Sequence, residues 1–167
     1  SATEIRLHIS KSENGNLRVI VSDDGAGIPE VVPGRPDVKQ TVQHVLRFGG
    51  KITHKGSRYP IGRFGFGLSQ TVLCLTTHSV VYSKCVNSKV RSCYYDLADL
   101  KNSDAKLPDE NHLESVPDSA LPPGWKMGNS GTIIVLHDID KAGWKSPERF
   151  AEHLDVEIGR PCCPPPQ

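Results

Sequence analysis

The sequence has no Cys-x-x-Cys pair, and its seven histidines show no His-x-x-x-His or His-Glu-x-x-His spacing. A structural zinc site and a helical metalloprotease site are therefore excluded, and no metal-ligating residues are assigned. Five cysteines, an odd number, argue against a disulfide framework. No apolar run approaches the ~18 residues that would span a bilayer, so no membrane partner is expected. No Gly-x-x-x-x-Gly-Lys-Ser/Thr occurs, which removes the common phosphate loop. Charge of one sign is missing too. Twenty basic and 19 acidic residues leave a net charge of +1, so the chain is no polycation built for nucleic acid. The only methionine is Met127, and the chain opens directly on a strand pattern. Together with the Pro-rich close, Pro161 to Gln167, this suggests a fragment truncated at both ends.

What remains is an ordinary globular composition, 37% hydrophobic and 23% charged over 167 residues, sized for one domain. Ile5, Leu7 and Ile9 alternate with Glu4, Arg6 and His8, the period-two signature of a strand buried on one face. A second strand, Leu17 to Val21, follows an Asn14-Gly15 turn that supplies the positive φ of a tight hairpin. Asp37, with Gln40 three residues on, predicts a capped helix through Val38, Val42, Val45 and Leu46, ending at Gly49-Gly50. Gly65 to about His78 predicts a second helix with Leu68, Val72 and Leu75 on its apolar face and Cys74 in the core. Val80 to Ser83, Val90 to Tyr95 and Gly131 to His137 read as strands. Ser146-Pro147-Glu148 opens a last helix with a cap, a proline at the first position and an acid in the first turn.

The order of elements does not alternate strictly, so a doubly wound fold is disfavoured. The expectation is an α+β two-layer sandwich, a mostly antiparallel mixed sheet with helices on one face. Residues 1–160 form the domain, 161–167 an irregular tail. A loop over about 48–64 carries no apolar period and is expected to be functional. A polar insertion over about 99–124 is expected to be solvated, as are Asp96 and Asp99.

Three segments bear on chemistry. Asp23-Asp24-Gly25-Ala26-Gly27-Ile28-Pro29 follows a strand; a carboxylate there can accept from an amine, although alone Asp-Gly after a strand is more often a turn. Ile61-Gly62-Arg63-Phe64-Gly65-Phe66-Gly67-Leu68-Ser69 enters a helix and exposes consecutive backbone N–H groups, an anion cradle. It follows a loop and not a strand, so it is no dinucleotide fingerprint. Gly131-Thr132 opens a buried strand, where a hydroxyl can serve a ligand or merely the sheet. Residues 35 to 63 hold seven basic residues against Asp37, a local charge of +6 that suits a polyphosphate. Nucleic acid would also fit that charge, but the interleaved aromatics are too few to support it.

Taken together, these segments resemble the ATP-binding (Bergerat) fold of the GHKL superfamily: type II topoisomerases, heat-shock chaperones of the ninety-kilodalton class, sensor histidine kinases, MutL repair proteins and Morc-type ATPases. Asp23 to Pro29 matches the first glycine box. The resemblance implies that Asp23 accepts from the adenine amine, with Gly25, Gly27 and Ile28 beside the ring. Phe48-Gly49-Gly50-Lys51 is similar to a lid segment whose lysine reaches the terminal phosphate, a role that falls to Lys51. Gly62-Arg63-Phe64-Gly65-Phe66-Gly67-Leu68 matches the second box, which holds the phosphates, and Thr132 is placed near the adenine.

The implied function is ATP binding in a GHKL-type ATPase, with ATP or ADP as ligand, Mg²⁺ accompanying the nucleotide, and a homodimer of the parent protein. The family's catalytic Glu and its metal-binding Asn lie on a helix preceding the first strand. That helix is expected to be missing here, so no catalytic residue is assigned and hydrolysis is expected of the intact parent only. Two alternatives stand beside this: a non-enzymatic, nucleotide-dependent interaction module, and a histidine kinase catalytic domain. A cytoplasmic location, or a nuclear one in a eukaryote, goes with the resemblance.

Overall fold

Alternating apolar residues and one tight turn make the first element pair, but Ile5 and Leu7, expected on a buried face, are exposed. In a computed structural model, which describes residues 2–32, 35–47, 49, 67–104, 106–139 and 143–158, strands β1 (Ile5–Lys11) and β2 (Leu17–Asp23) pair antiparallel, Ile5 opposite Asp23 and Lys11 opposite Leu17. Gly15 takes φ +79° in the turn, and its N–H bonds Ser12 O at 2.9 Å, as the Asn-Gly signal predicts.

The chain then departs from expectation. Asp37 does not cap a helix; it lies in a strand, β4 (Arg35–Lys39), paired antiparallel with the short β3 (Val31–Val32). The β-branched pair Val31-Val32 supplies a partner, and pairing with it outweighs a local capping signal. Helix α1 is confined to Gln43–Leu46, and no side chain of its N-cap residue Val42 caps it. N–H groups of the residues just ahead of it find other acceptors. Val42 N–H donates to Glu110 Oε2 at 2.8 Å, and Gln40 N–H to Glu30 O at 2.7 Å.

Helix α2 (Gly67–Leu75) buries Ser69 and Val72 and half-buries Leu68 and Leu75. Cys74, expected in the core, is exposed, because two residues past Val72 the helix has turned by some 200°. The next strands are β5 (His78–Lys84) and β6 (Val90–Asp96). Asp96 is not simply solvated: it caps α3 (Leu97–Asn102) by accepting from Ala98 N–H at 2.8 Å and Asp99 N–H at 3.2 Å. Edge strand β7 (Asn111–Leu113), a 3-10 turn over Asp118–Ala120, strand β8 (Gly131–Ile139) and helix α4 (Pro147–Ile158) complete the order. The start of α4 is as expected, with Ser146 Oγ bonded to Glu148 and accepting from Arg149 N–H at 3.4 Å.

The main sheet runs β1-β2-β8-β5-β6-β7 and every pairing is antiparallel. All four helices contribute to the core on one face: Val42 and Leu46, Val72, Leu97 and Leu100, Phe150 and Leu154 pack with Val19, Val81, Cys93, Tyr95 and Leu136. This is the α+β layering expected from the sequence. The polar stretch thought to be solvated does further work. Val116, Ala120, Leu121, Trp125 and Met127 pack on the opposite face against Ile20, Val90, Ile133 and Val135, giving that face a core of its own. At the end of that face formed by the start of β5, His78 Nδ1 lies 3.0 Å from Asp96 Oδ2. Its ring meets that of His137 edge-on, with centroids 4.9 Å apart. Burial, then the charges of His78 and Arg18, push the His137 imidazole down to about 4, against a weaker opposing pull from Asp138.

Candidate functional site

The strand register gathers polar residues into one row. Asp23 of β2 stands opposite Thr132 of β8, Thr132 opposite Ser83 of β5, and Ser83 opposite Arg91 of β6. Strand alternation puts these four on the helix-bearing face. The next row on that face is Val21, Ile134, Val81 and Cys93. Polar chemistry on this face is thus concentrated at the end where β2 finishes and β8 begins. Two segments singled out in the sequence, whose paired residues are 109 positions apart, meet directly there, at the Asp23–Thr132 pair.

The two adjacent aspartates do different things. Asp24 ties down the start of β1: Oδ1 accepts from Thr3 N–H at 2.7 Å and Glu4 N–H at 2.9 Å, while Thr3 Oγ1 donates to Oδ2. The Thr3 hydroxyl first, then these amides, hold the Asp24 carboxyl down to about 2. Asp23 is half-buried, and its Oδ1 accepts from Gly25 N–H at 2.8 Å. That bond fixes one oxygen of the carboxylate at the strand end.

The glycine box then folds back over the polar row. Gly27 sits at φ +74°, and a Cβ there would stand 2.2 Å from Lys84 O. Backbone packing against β5 therefore accounts for this glycine. Ile28 is buried and held at both of its backbone groups. Its N–H donates to Ser83 Oγ at 2.8 Å; its carbonyl accepts from Arg91 Nη2 and from Cys85 Sγ, the latter at 3.2 Å. Ser83 Oγ in turn donates to Gly131 O at 3.4 Å. Gly131, at φ +148°, would place a Cβ 2.3 Å from Asp23 O, so β8 can begin beside Asp23 only with glycine at this position.

Gly67 starts α2, exposed, and Leu68 turns its side chain toward the helix-face core. Lys51, Gly62, Arg63, Phe64, Gly65 and Phe66, the lid lysine and most of the second glycine box, lie outside the described residues, as does the tail 161–167. Among the described residues no group of three His, Cys, Asp or Glu could hold a metal ion, and no helix is long and apolar enough to cross a membrane.

Arg91 is the residue that the sequence analysis missed. It is 1% exposed, the largest fully buried side chain among the described residues, and it bonds the Ile28 carbonyl beside the row. Its only sequence signal is a charge amid a strand, Val90-Arg91-Ser92-Cys93-Tyr94-Tyr95, which alternation by itself would assign to solvent. A cavity of about 1100 Å³ lies elsewhere, bounded by α1, α3, Tyr95, Asp104, Lys106, Leu107 and Asp109. None of Asp23, Gly25, Gly27, Ile28 or Thr132 lines it, so volume and polar chemistry do not coincide.

No protein-family model matches the chain, and no curated protein matches it by sequence. The structure is similar to solved ones. One is the topoisomerase IV ATP-binding domain of Francisella tularensis in complex with a small-molecule inhibitor, at 18% identity and TM-score 0.47, covering 89% of this chain and 35% of that one. Another is the 43K ATPase domain of Thermus thermophilus gyrase B in complex with an aminocoumarin, at 17% identity and TM-score 0.49, covering 92% of this chain and 33% of that one. The chain spans about a third of the length of each.

Proposed function

We propose that this chain is an ATP-binding domain of the GHKL type, in which Asp23 accepts from the exocyclic amine of adenine. The observation that carries the reading is the Asp23–Thr132 pair at the strand ends, with the carboxylate held by Gly25 N–H. A carboxylate with one oxygen fixed and only half buried presents a preorganised acceptor. A fixed acceptor recognises a specific amine better than a mobile one, because less ordering is left to the moment of binding. Thr132 supplies a hydroxyl beside it, able to bond the purine directly or through a water. The residues present thus fit the base of an adenine nucleotide.

The triphosphate is assigned to Lys51 and to the box from Gly62 to Gly67, on the strength of their sequence: a lysine, an arginine and glycines entering a helix. Mg²⁺ would accompany the phosphates in solution; no described residue is assigned to it. Hydrolysis, dimerisation and any further partner of a longer protein extend this proposal and are not needed for it.

Fluorescence or calorimetric titration with ATP, GTP and ITP tests the base assignment. ITP carries a carbonyl where ATP carries the amine. Binding to ATP is expected to exceed binding to ITP by about tenfold or more, the scale of a hydrogen bond to a charged group. Asp23→Asn should narrow or invert that ratio, since an amide can donate to the carbonyl. An ATP affinity equal to that for ITP, or a ratio unchanged in Asp23→Asn, overturns the assignment.

A further inference from the structure

Arg91 makes more bonds to loops than to its own sheet. Nη2 donates to Ile28 O, in the glycine box, and Nη1 donates to Gln40 O at 3.2 Å, in the turn that leads to α1. Nη1 also lies 3.6 Å from Glu110 Oε1. Glu110, in turn, accepts from Val42 N–H at 2.8 Å through Oε2, at the start of α1. One buried guanidinium and one carboxylate therefore join three places distant in sequence: Ile28, the segment Gln40–Val42, and β6. His112 Nε2 lies 3.7 Å from Glu110 Oε1, the carboxylate oxygen that does not bond Val42 N–H.

An arginine with 1% exposure is costly to bury, and here the pairing of both terminal nitrogens offsets part of that cost. Its Nε and both side-chain polar atoms of Gln40 find no partner among the described residues. Pure packing would be served as well by an apolar residue of the same volume. What an apolar residue could not do is hold two carbonyls and a carboxylate at fixed relative positions, which the planar fork of a guanidinium does.

We propose that Arg91, through Glu110, is a positioning residue that couples the conformation of the glycine box at Ile28 to that of the segment Gln40–Val42 ahead of α1. Any ligand that presses on the box is thereby felt at the start of α1, and reciprocally. The proposal deepens the nucleotide reading and rests on it for the ligand, but its structural half stands alone. The bond between Ile28 N–H and Ser83 Oγ gives the box its second anchor, so Arg91 governs the carbonyl side and Ser83 the amide side.

Amide hydrogen exchange on the intact chain, with and without ATP, separates the two halves. In Arg91→Lys, a single ammonium cannot reach both carbonyls at once. Exchange at the Ile28 and Val42 amides is expected to accelerate about tenfold or more, with Val81 and Val135 unchanged, and ATP affinity to fall by a similar factor, the ordinary scale of coupling between sites. Glu110→Gln keeps an acceptor for Val42 but removes the charge facing Arg91. It serves if the first variant fails to fold, and should accelerate Val42 more than Ile28. Uniform acceleration across all strands would mark Arg91 as mere core, and unchanged exchange at both amides would overturn the coupling. If the wild type binds no ATP while both amides respond as expected, the nucleotide reading fails and the coupling survives.

Discussion

Ser79 and Ser83 lie four residues apart on one strand, point to the same face of the sheet, and are both 0% exposed. Ser83 accepts from Ile28 N–H and reaches Gly131 O, whereas Ser79 Oγ has no partner among the described residues. Around Ser79 the row is Leu136 and Tyr95; around Ser83 it is Asp23, Thr132 and Arg91. The two ends of a single sheet face thus follow different rules. At one end a polar atom is tolerated inside a packed apolar layer. At the other, polar atoms are the organising contacts, and Gly27 and Gly131 let neighbouring backbone approach closely there. The first end is where stability resides and the second is where recognition would reside.

Mutations that separate the ends test this division. The largest effect is expected at the packed end. Leu136→Ala should cost about 2–5 kcal/mol of unfolding free energy, read from denaturant titration, while the folded fraction keeps its nucleotide affinity. A loss of affinity equal to the loss of stability would dissolve the distinction.

The serines give a sharper contrast. Ser83→Ala leaves a buried Ile28 N–H without its acceptor and should cost about 1–3 kcal/mol, with weakened ATP binding. Ser79→Ala removes an unpaired hydroxyl and should lie within about 0.5 kcal/mol of the wild type or stabilise it. Equal effects at the two positions would count against the contrast.

The smallest effect is one of pH, and it belongs to the Ser79 end of the sheet. His137 is neutral in the folded protein down to about 4, whereas an unfolded histidine takes a proton near 6.5. Between those values the unfolded state binds more protons, so stability falls as pH drops from about 6.5 to about 4. Asp24, held at about 2, adds its own loss only below the ordinary carboxylate range. Melting temperature followed over this window should decline, and His137→Gln should flatten the decline. An unaltered slope in that variant would place the acid sensitivity elsewhere.

Much of this was legible in the chain. The β1–β2 hairpin followed from alternation and Asn14-Gly15, and the buried β8 from Gly131 to His137, because both signals are local. The register that brings Asp23 against Thr132 is not local, and only the resemblance to a known fold suggested that the two lie near each other. Asp37 failed as a helix cap because pairing with Val31-Val32 competed for the same backbone. The true acceptor for Val42 N–H is Glu110, 68 residues away, which no local window can see. The stretch 99–124 read as solvated because its acids and prolines mask a sparse apolar set. Val116, Ala120 and Leu121 have no period, since they line a wrap rather than a strand.

The strand order holds a consequence for how the molecule comes together. β1 with β2, and β5 with β6, are self-contained hairpins, but they touch in the sheet only through β8, which pairs with one member of each. β8 follows all four of these strands in the chain. Until Gly131–Ile139 is available, the halves have no shared hydrogen bonding within the sheet, and the carboxylate and hydroxyl of the Asp23–Thr132 pair belong to separate pieces. The pair proposed to hold a purine therefore forms only once β8 has been made, so a ribosome-bound chain stalled ahead of β8 would present Asp23 without Thr132.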